Sequence, residues 1–230
     1  MKKVSIIIPA YNEEAYITKG IEAALAQKYP NFEVIVVDNA STDKTSEIVR
    51  RLPVKLVSEP NKGTQWARER GRKESTGEIL AYMDADCEPY PDWLEKGVKF
   101  FDDERVVAVG GLYEYFDASP FLRQQALLYQ KYIYVSLNWI LRVFNVGGLF
   151  NFGNVFIRSS SAEKIGGLDT SIKFWGDDTD TAKRLSKIGK VIFTSKFQQK
   201  TSARRFKNQG LIHTLNRYFF FFLKETFQKN

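Results

Sequence analysis

The chain has 230 residues, room for one large domain with a modest appendage but not for two full domains. At 43% hydrophobic and 27% charged it can fill a core, which excludes a disordered chain. Lys plus Arg at 34 against Asp plus Glu at 27 leaves +7, which favours anionic partners, and a single cysteine, Cys87, excludes a disulfide framework or a Cys-rich zinc site and suits a reducing, cytoplasmic setting.

The first apolar run, 4–8, is cut by Pro9, Asn12, Glu13 and Glu14, which is too short for a signal peptide and reads as a strand. Short β-branched runs at 34–37, 55–58, 79–83 and 106–109 continue the series. Helical patterns at 14–27, 45–51, 64–74 and 92–101 separate them. This alternation predicts an α/β fold, a Rossmann-like and mostly parallel central sheet flanked by helices. Continuous apolar strands such as Ile6-Ile7-Ile8 suit a sheet covered on both faces, and ligands then sit beyond the carboxyl ends of the strands.

The second half is less regular. A long aromatic-rich helix is predicted over 120–144, too interrupted by Gln124, Gln125, Gln130, Lys131 and Asn138 for a span of about 20 apolar residues. A strand at 154–157, the turn Gly166-Gly167, an acidic cluster 177–180 opening a helix at 181–187, a strand at 190–194 and a basic aromatic tail follow. The expected division is 1–205, with two halves meeting at about residue 110, plus a helical aromatic-rich C-terminal portion, 206–230, joined to it or free to meet a membrane.

Asp84 and Asp86 follow a strand at a spacing of two, so extended backbone turns both carboxylates the same way. Such acids repel unless a cation joins them, and a hard divalent ion completed by diphosphate oxygens is the usual resolution. A solvated turn is the plain alternative for an isolated Asp-x-Asp. Here it is not isolated. Pro9-Ala10-Tyr11-Asn12-Glu13, Asp38 with Ser41-Thr42-Asp43, Asn61-Lys62-Gly63, Asp84-Ala85-Asp86 and Gly176-Asp177-Asp178-Thr179-Asp180 occur in order, the first four at strand ends.

This series closely resembles the family 2 glycosyltransferases, inverting enzymes of the GT-A fold that use nucleotide-diphospho-sugars, over about residues 4–205. The resemblance implies a nucleotide-binding half over about 1–110 and an acceptor half over about 111–205, with Pro9, Ala10, Tyr11 and Glu13 lining the nucleoside pocket, Asp38 accepting a hydrogen bond from the base, and a UDP-sugar favoured. Lys62 and Gly63 would lie near base or phosphates, Asp84 and Ala85 near ribose and metal, and Asp86 would be the principal ligand of Mn2+ or Mg2+. Asp178 would be the general base, already ionised at neutral pH, with Asp177 beside it. Trp175, Gly176 and Asn154 are the acceptor candidates. Arg204 and Arg205 are diphosphate candidates, since guanidinium forks suit phosphate oxygens.

Plainer roles stand beside several of these. Glu13 could complement a helix dipole, Asp43 could cap a helix, 177–180 could be an acidic helix start, Trp175 could be a core residue and Cys87 a packing residue. The chain also departs from the pattern: Asp177 stands where glutamate is usual, Asn39 where a second aspartate is common, and the only histidine, His213, comes late.

No Gly-x-Gly-x-x-Gly or P-loop follows the first strand, which excludes dinucleotide and P-loop enzymes, and no nucleic-acid motif accompanies the basic charge. A sugar nucleotidyltransferase or a non-catalytic nucleotide-binding module is the alternative. The expected partners are a nucleotide-diphospho-sugar and a glycan or lipid-linked acceptor. From Leu211, the positions Ile212, Leu215, Tyr218, Phe219, Phe222 and Leu223 recur at helical spacing among basic residues, which together with the aromatic-rich helix over 120–144 predicts peripheral contact with the cytosolic face of a membrane, or packing of the tail on the core or a homodimer partner.

Overall fold

The structure, a computed structural model, describes residues 1–144, 147–172, 176–209, 217, 220 and 224. The expected amphipathic face at 211–223, His213 and Trp175 therefore lie outside the described residues, apart from Arg217 and Phe220.

The β-branched runs form the centre of an eight-stranded sheet, because strands covered on both faces must be apolar along their whole length. Strand β1, Val4–Ala10, is buried throughout, and β2, Phe32–Asp38, is buried from Val34 onward. With β3 (Lys55–Ser58), β4 (Ile79–Met83), β5 (Cys87–Pro89), β6 (Val106–Tyr115), β7 (Asn154–Arg158) and β8 (Lys190–Thr201), the sheet order is β3-β2-β1-β4-β7-β6-β8-β5. Six strands point one way, while β7 and β5 run against them.

The parallel series is therefore interrupted where the sequence predicts continuity. Strand β7 enters between β4 and β6, antiparallel to both, and sets Asn154 against Met83 at the end of β4. Strand β8 runs seven residues beyond the expected end at 194, and β5, not foreseen, pairs with its far end.

Helices α1 (Ile17–Leu25), α2 (Thr45–Val49), α3 (Thr64–Glu74), α4 (Trp93–Val98), α5 (Pro120–Tyr129), α6 (Val135–Val143), α7 (Ser159–Lys164), α8 (Asp177–Ser186) and α9 (Arg204–Gln209) flank the sheet. α1 buries Ile17, Gly20, Ile21 and Ala24, a regular inward stripe. Gly20 is required there, since a Cβ would come to 2.8 Å from the carbonyl oxygen of Ala85, so the helix presses on the loop after β4. The predicted helix 120–144 is interrupted by a π turn at Gln130–Tyr134. α8 starts at Asp177, four residues earlier than expected, because Gly176 takes the left-handed conformation at its start (φ 91°). Trp93, Phe156 and Phe197 pack in series through the core under β4 to β8, the first pair tilted with centroids 4.6 Å apart and the second edge to face at 5.3 Å.

Candidate active site

The loops after the first three strands are tied together by their own polar side chains. Asn12, at φ 55°, accepts the Thr42 N–H at 2.8 Å and donates its own N–H to the Ser41 hydroxyl at 3.0 Å; the Glu13 N–H donates to the Thr45 hydroxyl at 2.8 Å. Asp43 receives the N–H of Thr45, the first residue of α2, at 2.9 Å, the helix-start role considered for it. Asp38 is buried and accepts the Ser41 N–H at 3.4 Å. Asn39 clamps the second loop to the third: its amide donates to the carbonyls of Glu59 (3.1 Å) and Asn61 (2.7 Å), and its oxygen accepts the Gly63 N–H (2.8 Å). Lys62 sits 5.3 Å over the half-exposed Tyr11 ring. Pro9 and Ala10 are buried beneath them, so Tyr11, Asp38, Lys62 and Gly63 share the carboxyl edge of β1 to β3.

At the end of β4 the acids come under the control of two arginines. Arg68, on the inward face of α3, donates to Asp84 at 3.0 Å and to Asp177 at 2.6 Å, with its guanidinium 4.4 Å over the Phe152 ring. It thus joins the Asp84 and Asp177 motifs, 93 residues apart in sequence, in one site. Arg204 donates to both oxygens of Glu13, pairs with Asp86 at 2.9 Å, and stacks 4.7 Å over Tyr16. The expected diphosphate residue is therefore at the site, engaged with acids, and Arg205 adds a positive field at Asp86.

Burial decides the protonation of these acids. Desolvation, then Asp84, pushes Asp86 up to about 6, although Arg204 opposes it. Desolvation, then Asp177, pushes Asp178 up to about 7, against the N–H of Thr179 at 2.9 Å and the start of α8, both of which favour the ionised form. Asp177 is also raised by burial, with Arg68 opposing. The reading of Asp178 as an ordinary ionised carboxylate is corrected accordingly. Burial likewise pushes the Cys87 thiol up, and it is an inert core residue.

The acceptor candidates fare unevenly. Asn154 is fully buried: its oxygen accepts the Trp93 indole N–H at 2.8 Å and its amide donates to the Leu112 carbonyl at 2.7 Å. It is a strut inside the sheet and does not line the opening, because β7 is an interior strand. Gly176 starts α8, and Ala85 is buried under α1.

Arg68, Gly153 and Gln199 were not foreseen. A Cβ on Gly153 would collide with the Asp84 carboxylate and the Tyr113 hydroxyl, and the buried Gln199 donates to the Gly153 carbonyl. The available signal for Arg68 was its helical phase: Gln65, Arg68 and Glu69 recur at i, i+3, i+4 on the buried side of α3.

Among the described residues no cluster of three or more ligating side chains occurs. Two neighbouring carboxylates, both only partly exposed and each already facing a guanidinium, still fit a divalent ion whose remaining ligands come from a diphosphate.

The model of "Glycosyl transferase family 2" matches residues 5–164, well over half of the chain. The chain belongs to glycosyl transferase family 2. The match ends before Asp177, so the second acid pair of this glycosyltransferase rests on the geometry above. Glycosyltransferase AglE of Haloferax volcanii is 34% identical over 194 residues, 81% of this chain and 62% of that protein. A dolichyl N-acetyl-alpha-D-glucosaminyl phosphate 3-beta-D-2,3-diacetamido-2,3-dideoxy-beta-D-glucuronosyltransferase of Methanococcus voltae is 30% identical over 126 residues, 49% of this chain and 39% of that protein. Among solved structures, mannosyltransferase PcManGT from Pyrobaculum calidifontis, in complex with GDP-Man and Mn2+, superposes with a TM-score of 0.69 at 26% identity over 95% of this chain and 64% of that one. The fold is the GT-A fold. The chain spans less than two thirds of the length of each of these three proteins.

Proposed function

We propose that this glycosyltransferase moves a sugar from a nucleotide-diphospho-sugar to an acceptor hydroxyl in one inverting displacement, with Asp178 as general base. The observation that carries it is the Arg68 bridge, which holds the Asp84 motif and the Asp177-Asp178 motif at the two ends of one site. Tyr11, Asp38, Lys62 and Gly63 hold the nucleoside on the carboxyl edge of β1 to β3. Asp84 and Asp86 would hold Mn2+ or Mg2+, which when bound offsets negative charge on the departing diphosphate. Arg204 and Arg205 stand beside those acids as the diphosphate partners. Asp178 takes the acceptor proton, and its raised affinity for protons near neutral pH suits a group that must gain one during the reaction. Asp177 is kept in place by Arg68. Gly176, at the start of α8, borders the acceptor side.

A buried carboxylate such as Asp38 accepts from the imide N–H of uracil or the donor edge of guanine, so UDP-sugars, favoured by the motifs, and GDP-sugars, held by PcManGT, both belong in the test. A lipid-linked acceptor is favoured by the substrate in the name of the Methanococcus voltae relative. The same reading divides the chain into 1–205 and a membrane-proximal 206–230, with contact at the cytosolic face.

The test is a panel of UDP- and GDP-sugars with Mn2+, scored for nucleoside diphosphate release, thermal protection and the anomeric configuration of the product. Release with inversion is expected. Retention of configuration overturns the single displacement, and absence of affinity for either nucleotide overturns the whole reading.

A further inference from the structure

A helix on a protein surface buries an apolar stripe and turns polar residues outward. The segment 120–144 does the reverse. Only Gln130, Asn138 and Leu141 are buried along it, and two of these are amides. The Gln130 amide donates to the Tyr113 carbonyl at 3.0 Å and accepts the Tyr113 N–H at 2.8 Å; Asn138 accepts the Phe193 N–H at 3.0 Å; Arg123 donates to the Phe116 carbonyl at 2.9 Å. Polar side chains thus fasten the segment to the backbone of β6 and β8. Large apolar residues recur at helical spacing among its outward positions: Phe121, Leu128, Tyr132, Trp139 and Val143, followed by Phe144, with Phe121, Trp139 and Phe144 at 74%, 63% and 71% exposure. A contiguous exposed apolar face of this kind marks a contact with an apolar phase or partner.

Charge separates the two. From residue 118 to 162 the sequence has no Asp or Glu but has Arg123, Lys131, Arg142 and Arg158, and Lys131 and Arg142 lie exposed on the segment. A second copy related by a two-fold axis would set the exposed Lys131 and Arg142 against their own kind with no acid on the segment to offset them. An anionic headgroup layer offsets them and accepts the aromatic rings at its boundary. No described helix is long and apolar enough to cross a membrane, so the segment would lie in the interface plane.

We propose that the outward face of residues 120–144 docks this protein on an anionic phospholipid bilayer and so sets the height of the acceptor site above the membrane. The second part rests on the lipid-linked acceptor proposed above. The linkage is short: Gln130 pins the segment to Tyr113, whose hydroxyl and the Asp84 carboxylate both crowd Gly153.

The experiment is co-sedimentation of the full chain with vesicles of phosphatidylcholine, with and without phosphatidylglycerol, at low and high salt. Trp139→Ser with Phe144→Ser, and Lys131→Glu with Arg142→Glu, are compared with wild type, and UDP and GDP binding in Mn2+ is measured on each as a check on the fold. Wild type should bind the anionic vesicles, less so in high salt. The aromatic double variant should bind at least about tenfold more weakly, from lost burial of two large rings. The charge variant should lose the preference for anionic lipid, with nucleotide binding unchanged in both. Vesicle binding that survives both double variants but disappears on removal of 210–230 overturns the proposal in favour of the tail. A wild type that ignores vesicles and is a dimer dissociated by the aromatic variant overturns it in favour of a second copy. Vesicle binding that depends on these rings in a chain with no affinity for UDP or GDP supports the surface and overturns only the transferase reading, so the two failures are distinguishable.

Discussion

Asp84 and Asp86 follow a strand, and each carboxylate faces a guanidinium; Asp177 and Asp178 begin a helix, and among the described residues only the first does. Among the described residues the polar contacts of Asp178 are the N–H and hydroxyl of its neighbour Thr179. A carboxylate at a helix start is ordinarily favoured in its ionised form by the macrodipole, by about 0.3–1 kcal/mol when exposed. Here burial outweighs that, and the like charge of Asp177 adds to it. On the proposed reading the same residue type serves two purposes in one site. A pair compensated by cations is suited to exchange one cation for another, and a pair compensated on one side only leaves the other acid ready to take a proton.

The largest effect should come from the first pair. Asp86 is mostly buried, its side chain 11% exposed and paired to Arg204. Asp86→Ala should cut transfer on the order of 10³-fold or more, since the metal contributes several kcal/mol to the transition state. Arg204 retains Glu13, so the fold should survive. Calorimetric titration of UDP and GDP with and without Mn2+ checks this, and a metal-dependent affinity equal to wild type would sink the assignment.

Asp178→Asn should keep donor affinity and lower transfer by about 10²-fold or more. Because the Asp178 carboxyl is raised to about 7, wild-type transfer should rise with pH up to about 7 and level off above it, and the residual rate of the variant should lose that limb. A limb that persists in the variant moves the base elsewhere, with Asp177 next in line.

Arg68 tests whether the pairs are one device. Arg68→Lys leaves a charge that can meet one carboxylate but not fork across two. Donor affinity and transfer should both drop, by about 10–100-fold as for other residues that orient ligating groups. Arg68→Gln should in addition destabilise the fold by roughly 3–5 kcal/mol, because it leaves buried acids without their charge partner. Wild-type kcat and KM in the lysine variant would show that the bridge is structural only.

The nucleotide half was readable because each step there is local. A β-branched run, a turn-rich motif and an amphipathic helix repeat in order, and the ligand edge follows from strand direction. The insertion of β7 depends on pairing between 79–83 and 154–158, which no local pattern encodes, and Asn154 was misplaced for that reason. The long β8 did leave a trace: Phe197, Gln199 and Thr201 alternate inward with Gln198 and Lys200, but the Gln and Lys content masks a strand whose buried face is partly polar. Arg68 was hidden by the usual rule that arginine on a helix is solvated. The helix 120–144 was legible as aromatic and, beside the tail, as a membrane candidate, but not which of its residues face outward, since a periodic stripe does not say which side meets the protein.

The smallest effect concerns stability. In the unfolded chain the Asp178 carboxyl ionises at its ordinary value, while in the folded protein it holds its proton up to about 7. Between those values the folded state binds the extra proton, so stability falls as pH rises through the window, and the penalty is fully present above pH about 7. Asparagine occupies the same volume without a charge to desolvate. Asp178→Asn should therefore melt higher than wild type at pH above about 7, by a few degrees for a gain of about 1–2 kcal/mol in a chain of this size, with the difference shrinking as pH falls toward the ordinary carboxylate range. Thermal melts of both proteins across that range decide it. A variant that is less stable than wild type at neutral pH would mean that the ionised carboxylate is welcome where it sits. The contrast between the two acid pairs would then have to be sought in Arg68 and Arg204 alone.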